Sequence, residues 1–110
     1  MSESESKMST AQFSVGDLVH HKLFDYRGVI VDVDPQFQLT EEWYETVAQS
    51  RPPKDKPWYH VLVHKGGHQT YVAEQNLESD TTGEVIDHPL LGQYSTRFRN
   101  GRYQNERQAN

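Results

Sequence analysis

The sequence predicts a mostly β domain, a small and strongly curved β-barrel of about five strands with one short helix inserted between strands 2 and 3. Two observations lead to this prediction. Apolar residues recur with a period of two along most of the chain, which is typical of β-strands. Both faces of the central strands are also largely apolar, and this favours a curved barrel over a flat sheet with one wet side.

The first two strands are predicted over residues 15–22 and 28–35. Both segments alternate apolar and polar residues and are rich in β-branched side chains, which favour strands. A short turn over residues 23–28 joins them. Gly28, at the start of the second strand, indicates a bulge or a close approach of two backbones.

One helix is predicted in the long segment between the second and third strands, over residues 41–49. Thr40 is a favourable N-cap residue, because its hydroxyl can accept a hydrogen bond from an amide of the first turn. Glu41 and Glu42 occupy that turn, where the helix dipole favours negative charge. The proline-rich residues 51–57 then end the helix and lead into the third strand.

The third and fourth strands are predicted over residues 58–64 and 68–73, with Gly66 and Gly67 as a two-residue hairpin turn. That turn would place Val63 opposite Thr70 and Val61 opposite Val72. Tyr59, Val61, Val63 and Val72 would then share one face, and Trp58, His60, Leu62 and Tyr71 the other. Beyond them we expect a single turn at residues 74–78, a short last strand at residues 85–86, and a closing turn or short helix at residues 88–94.

Composition excludes several classes of protein. The chain has 110 residues and no cysteine, which excludes a disulfide framework, a thiol nucleophile and a cysteine zinc site. No apolar run approaches the roughly 18–20 residues of a membrane span. The polar N-terminal segment lacks the apolar stretch of a signal peptide, so the sequence predicts a soluble, cytoplasmic protein.

Charge and composition divide the chain into three parts: a disordered tail at residues 1–12, a folded domain at residues 13–96 and a flexible basic tail at residues 97–110. The formal net charge is −5, of which residues 1–12 carry −1 and residues 97–110 carry +3. The domain itself therefore carries −7. An acidic domain is an unfavourable starting point for binding DNA, because phosphate contacts supply much of the affinity.

The residues that could carry chemistry do not combine into an active site. His60 and His64 would lie roughly 13 Å apart on an extended strand, which is too far to share a metal ion. Asp32 and Asp34 face the same way but are typical of the wet face of a strand. No serine or threonine lies in the context of an activated nucleophile. We therefore expect no enzyme activity, no cofactor and no metal site.

Aromatic and basic side chains are the candidates for binding. We predict that a partner contacts Tyr26, Arg27, Trp43, Trp58 and Tyr71, with Tyr26, Arg27 and Trp58 at a rim. The alternative is that these aromatics form a second small cluster beneath the inserted segment. Four arginines of the basic tail are the candidates for touching phosphates or an acidic partner, the alternative being a solvated tail: Arg97, Arg99, Arg102 and Arg107.

Specific strings of residues resemble the HspQ family, also described as the YccV-like hemimethylated DNA-binding domain. They are FSVGDLV at residues 13–19, YRGVIVDVDP at 26–35, PWYHVLV at 57–63 and TYVAEQNL at 70–77, and IDHP at 86–89 continues the match. The likeness covers about residues 13–94 in the same order. The polar N-terminal extension and the basic tail depart from it.

This resemblance implies a small, SH3-like barrel without catalytic activity. It implies a heat-shock and stress-response protein that helps to degrade denatured or selected proteins, as a partner and specificity factor of a Lon-type, ATP-dependent protease. A second implied activity is binding to hemimethylated DNA. The acidic domain and the surplus of aromatics favour the protein-binding role, and the aromatics also leave room for a homo-oligomer interface.

Overall fold

An antiparallel sheet of five strands, in the order β4-β3-β2-β1-β5, forms the body of the protein. The computed structural model describes residues 10–48, 50–94 and 97–104. The strands of the sheet are β1 (Leu18–His21), β2 (Arg27–Asp34), β3 (Trp58–Val63), β4 (Gln69–Ala73) and β5 (Leu77–Ser79). The remaining elements are helix α1 (Glu41–Val47), a 3₁₀ turn (Glu74–Asn76), helix α2 (Leu91–Tyr94) and a hairpin of β6 (Arg97–Arg99) and β7 (Arg102–Gln104).

The sheet buries apolar side chains on both faces, as its sequence pattern predicts. One face carries the cluster of Leu18, Val29, Val31, Leu62, Ile86 and Tyr103. The other carries Val19, Ile30, Tyr59, Val61, Val72 and Leu77. The predicted mostly β fold, with about five strands and a helix between β2 and β3, is confirmed. Within the described residues β4 and β5 do not pair with each other, so the barrel is not closed.

Close packing at Gly28 brings the central strands together. A Cβ atom at Gly28 would lie 2.5 Å from Val61 Cγ1 and 2.6 Å from the carbonyl oxygen of Leu62, so only glycine fits there. The predicted close approach is therefore confirmed. The bulge lies further along β2, where the register with β3 shifts between Ile30 and Asp32. Bulges of this kind increase the local twist of a strand.

Helix α1 begins as predicted. The Thr40 hydroxyl accepts a hydrogen bond of 3.0 Å from the Trp43 amide, and Glu41 and Glu42 lie in the first turn. The helix ends at Val47, with Ala48 as its C-cap. The predicted last residue, Gln49, lies outside the described residues.

The predicted register of the β3–β4 hairpin is wrong by two residues. Val61 lies opposite Thr70, and Tyr59 lies opposite Val72. The turn is longer than two residues because the amide of Val63 already bonds to the carbonyl of His68, which leaves residues 64–67 as the loop. A shift of two residues preserves the side-chain faces, whereas a shift of one would exchange them. Tyr59, Val61 and Val72 accordingly remain on one face.

The predicted strand at residues 85–86 is absent, and β5 takes its place in the sheet. The 3₁₀ turn directly after β4 returns the chain to the edge of β1, where Leu77 pairs with His21 and is buried. Ile86 is also buried, but its amide donates to the Tyr103 hydroxyl at 2.9 Å instead of joining a ladder.

The predicted flexible tail is wrong for residues 97–104, which fold as the β6–β7 hairpin. Asn100 and Gly101 form its turn with φ angles of 55° and 75°, the left-handed pair that an Asn-Gly turn favours. Tyr103 is only 8% exposed, and its amide donates to the Gly16 carbonyl at 2.8 Å. The hairpin is thereby attached to the chain that leads into β1.

The predicted N-terminal tail falls mostly on residues 1–9, outside the described residues. Ala11 and Phe13 pack against the cluster of Tyr59, and the Gln12 amide donates to Glu74 Oε2 at 2.8 Å. Among the described residues, none of the helices is long and apolar enough to cross a membrane.

Candidate functional site

A groove of about 1210 Å³ runs along β4, and we call it the β4 groove. One wall comes from the β1–β2 connection and contains Leu23, Phe24 and Tyr26. The other comes from α1 and the residues around it and contains Leu39, Trp43, Val47 and Ala48. Residues 69–73 of β4 lie between the walls.

The α1 wall rests on a cluster of aromatic rings beneath the inserted segment. The Trp58 ring stacks on Tyr71 with their centroids 5.2 Å apart, and Trp43 meets Tyr71 edge-on at 5.6 Å. Phe37 and Tyr44 complete the cluster. The alternative of a second cluster under the insertion is therefore confirmed for these rings, and Trp43 and Tyr71 also line the groove.

The prediction that Trp58 lies at a rim is wrong. Its side chain is 1% exposed, and its indole Nε1 donates to the Pro53 carbonyl at 3.1 Å. Trp58 is buried because the inserted segment folds back over β3, although it is also one of the residues that line the groove. The sequence of β3 alone cannot show that the inserted segment will cover Trp58.

Tyr71 joins the groove to the sheet through its hydroxyl. The hydroxyl donates to Asp34 Oδ2 at 2.7 Å and accepts from the Gln38 amide at 3.1 Å. Burial, and then the hydrogen bond to the Asp34 carboxylate, raise the pKa of Tyr71 above its ordinary value. Tyr71 therefore stays a neutral donor, with its ring packed against Trp43 of α1 and Trp58 of β3.

The opposite wall depends on a neutral histidine. His21 Nδ1 accepts hydrogen bonds of 3.1 Å from the amides of both Leu23 and Phe24, and its ring stacks on Phe24 at 4.7 Å. Burial lowers the pKa of His21, and the charge of the adjacent His20 lowers it further. The Phe24 ring is left 74% exposed on this support.

Tyr26 lies in the β4 groove, but Arg27 does not. The Tyr26 hydroxyl lies 2.7 Å from Thr70 Oγ1, and burial raises the pKa of this tyrosine. The guanidinium of Arg27 is paired with the buried Asp80 at 3.0 Å and also donates to the Glu84 carbonyl. Burial alone would raise the pKa of Asp80, but hydrogen bonds from Arg27 and Thr82 hold it below its ordinary value. Arg27 thus fixes the loop that follows β5.

The basic candidates gather on one face of the β6–β7 hairpin. Phe98 and Tyr103 are opposite each other and face the core, so the residues before and after each of them in the strands point the other way. Arg97 and Arg99 are exposed on that outer face, and Arg99 is opposite Arg102. Arg102 binds Asp17 Oδ1 at 3.0 Å and the Val15 carbonyl. Arg107 lies outside the described residues.

Asp32, Asp34 and His60 form a group that sequence spacing did not predict. One potential ligand atom from each residue lies within 4.8 Å of the others, because β2 and β3 place Asp32 opposite His60. Asp34 Oδ2 also lies 3.3 Å from His60 Nε2 and accepts from Tyr71. These hydrogen bonds hold Asp34 and His60 together, and Asp32 joins them through the pairing of β2 with β3, which spacing along one strand cannot show.

Comparison with known families adds one finding to this geometry. The family model described as "Hemimethylated DNA-binding protein YccV like" matches residues 11–102. The match spans the whole five-stranded sheet, both helices and the start of β7. It includes the β4 groove and the arginine-bearing face of β6.

Proposed function

We propose, from the premise that this chain belongs to the YccV-like family of hemimethylated DNA-binding proteins, that it is a non-enzymatic binding module whose main ligand is protein. Its proposed role is to help a Lon-type, ATP-dependent protease to degrade denatured or selected proteins under stress in the cytoplasm. The resemblance of the PWYHVLV and TYVAEQNL strings to HspQ proteins supports this role.

The observation that carries the proposal is the concentration of exposed apolar side chains in the β4 groove. Among the described residues, seven large apolar side chains are exposed, and four of them line this groove: Leu23, Phe24, Leu39 and Val47. Exposed apolar surface in one concave place is typical of a protein-binding site. Denatured proteins expose apolar segments of the kind that such a groove would cover.

A degradation assay tests this role. We expect the full-length chain to accelerate degradation of a denatured client by a Lon-type protease, and Val47→Asp to abolish most of the acceleration. Val85→Asp is the matched control, because Val85 is 56% exposed and Val47 is 53% exposed, and only Val47 lines the groove. An unchanged degradation rate with the wild-type chain contradicts the proposal.

Binding of DNA is the second candidate, and the outer face of the hairpin favours it. A two-stranded ribbon fits the major groove of B-DNA, and Arg97, Arg99 and Arg102 share one face of this ribbon. The net charge of −7 on residues 13–96 opposes this function, because it repels phosphates.

A salt titration separates the two functions. If the hairpin binds phosphates, the double variant Arg97→Gln with Arg99→Gln should make the slope of log K against log salt concentration less steep by about 2. Each phosphate contact that is lost contributes about 0.9 to that slope. The control replaces the exposed Lys56 and Lys65 by Gln and removes the same charge. NMR shifts on the sheet that survive moderate salt and differ between a hemimethylated duplex and its unmethylated twin would instead make DNA the main ligand.

A further inference from the structure

We propose that the β4 groove binds an extended apolar segment of another polypeptide, with neutral or basic flanks, as an additional strand on the open edge of β4. This inference rests on the proposed function in one respect, namely that the ligand is protein. It adds the mode of binding, the atoms that bond and the chemistry of the segment.

The first argument is the direction of the backbone groups of β4. The Val63 amide bonds to the His68 carbonyl, and the Glu74 amide bonds to the Pro57 carbonyl. Antiparallel strands alternate residues whose backbone groups face the partner with residues whose groups face away. Since His68 and Glu74 face β3, the three residues whose amides and carbonyls point to the open edge are Gln69, Tyr71 and Ala73.

These outward groups are available for pairing. Strand β4 is the last strand of the sheet. Within the described residues no group bonds to the outward amides of Gln69, Tyr71 and Ala73 or to the outward carbonyls of Gln69 and Tyr71, whereas the Ala73 carbonyl accepts the first bond of the 3₁₀ turn. An unpaired strand edge is a template for another strand. Most proteins cover or charge such an edge, whereas here it opens into a groove.

The second argument is the placement of the two walls. Thr70 and Val72 belong to the same face of the sheet as Tyr26, while Tyr71 and Ala73 belong to the face covered by α1. An added strand would also send alternate side chains to opposite faces. One set would meet Leu23, Phe24 and Tyr26, and the other set would meet Leu39, Trp43 and Val47.

Charge selects the occupant. None of the described residues that line the groove is Lys, Arg, Asp or Glu, so the lining offers no permanently charged partner for a phosphate or for a charged side chain. The domain around the groove carries −7, which repels acidic segments and attracts basic flanks. A second copy of this chain is disfavoured for the same reason, because pairing two β4 edges would bring two acidic domains together.

Peptides of fixed composition test the mode of binding. The probe is a nine-residue peptide of alternating Phe and Val between two Lys residues, measured by calorimetry on the full chain. Two isomers carry N-methyl groups on alternate amides in opposite phases. Strand addition predicts that one phase weakens binding about tenfold or more and that the other does not, because only one phase bonds to β4. Glu flanks should weaken binding of the unmethylated peptide.

A variant of the edge provides the complementary measurement. Gln69→Pro removes one outward amide and leaves the β3 ladder intact, since proline is tolerated where its nitrogen faces away from the partner strand. Gln69→Ala, the control, changes the side chain alone. We expect Gln69→Pro to weaken binding of the peptide by more than Gln69→Ala does, because only the proline removes the amide, and NMR spectra of both variants should confirm the fold.

The outcomes are distinct. If the peptide binds but both methylated isomers bind equally well, strand addition is wrong and the protein-binding function stands. If neither this peptide nor a denatured client binds, both proposals fail. If the chain itself dimerises and Gln69→Pro makes it monomeric, the occupant is a second copy and the proposed ligand is wrong.

Discussion

The β4 groove and the β6–β7 hairpin are both exposed strand surfaces, but they differ in what they offer a ligand. The groove has apolar walls, an uncharged lining and unpaired backbone groups. On the hairpin, one strand is joined to the body through the Tyr103 amide, and the exposed face carries arginines. The comparison shows that this small domain carries two separate surfaces. The β4 groove is suited to a polypeptide backbone, and the outer face of the hairpin is suited to phosphate.

The two surfaces also differ in how they are held. The groove is built on β3, β4 and the ring cluster of Trp58, so it belongs to the body of the fold. The hairpin depends on Tyr103 and on the close approach of Gly16 to β7. It should therefore be possible to perturb the hairpin and leave the groove intact, which the first two predictions use.

The largest effect is expected for Gly16→Ala. A Cβ atom there would lie 2.0 Å from the Tyr103 carbonyl oxygen, and the φ angle of Gly16 is +99°. We expect the free energy of unfolding to fall by about 2–5 kcal/mol, from the clash with backbone and the strained φ. Chemical denaturation measures the loss, and NMR should show the Phe98 and Tyr103 signals displaced while the groove still binds peptide.

Gly92→Ala is the control for this substitution, because a Cβ atom at Gly92 meets nothing within 4 Å. We expect that variant to be as stable as the wild-type chain or slightly more so. Unchanged hairpin signals in Gly16→Ala would show that the hairpin does not depend on this approach.

Tyr103→Phe should have the next largest effect. It removes the hydroxyl that accepts from the buried Ile86 amide at 2.9 Å, and an unsatisfied buried amide costs about 1–3 kcal/mol. Tyr94→Phe is the control, since Tyr94 packs against the same cluster and its hydroxyl has no hydrogen-bond partner among the described residues. Equal free energies of unfolding for the two variants would contradict this role of the Tyr103 hydroxyl.

Local signals in the sequence predicted much of the fold. Thr40 as N-cap, the alternating valines of β2 and the turn after β4 are properties of neighbouring residues, and all three are confirmed. The hairpin at residues 97–104 was not predicted, although the Asn100-Gly101 pair favours a turn. The polar composition of the segment indicated a flexible tail, and the prediction followed the composition. Only Phe98 and Tyr103 offered side chains to bury, and two anchors in a polar segment are a weak signal.

The candidate site was harder to predict because it depends on contacts between distant segments. Tyr26, Trp43 and Tyr71 were predicted as binding residues, and the structure brings them together in one groove. Trp58 and Arg27 were placed wrongly, since their burial and pairing come from the inserted segment and from Asp80. Neither partner can be identified from spacing along β2 or β3.

Tyr26→Phe tests the groove at a smaller scale. Its hydroxyl lies 2.7 Å from Thr70 Oγ1 in a half-buried position, so its removal should cost about 0.5–1.5 kcal/mol of stability. The double variant Tyr26→Phe with Thr70→Val removes both polar groups and should be less destabilised than the two single effects added together. Denaturant titration measures all three variants, and strict additivity would show that the two hydroxyls do not interact.

The smallest effect on stability is expected from pH, because adjacent histidines on β1 respond in opposite directions. Hydrogen bonds to Asp25 and then to Glu78 raise the pKa of His20, so its contribution is present below its unfolded value of 6.5 and is lost as pH rises through the folded pKa. Burial lowers the pKa of His21, so the unfolded chain binds more protons there and stability falls as pH drops below 6.5. The two contributions partly cancel.

Binding at the groove should follow His21 more closely than stability does, since His21 Nδ1 accepts directly from the Leu23 and Phe24 amides, whereas His20 bonds to the adjoining Asp25. Between pH 7 and pH 5 we therefore expect peptide affinity to fall, while the Phe98 and Tyr103 rings, which pack on each other, keep their NMR positions. His21→Asn supplies an acceptor that does not titrate, so its binding should depend less on pH. A histidine titration in which His21 protonates above His20 would contradict this account, because the wall of Leu23 and Phe24 would then rest on a charged ring.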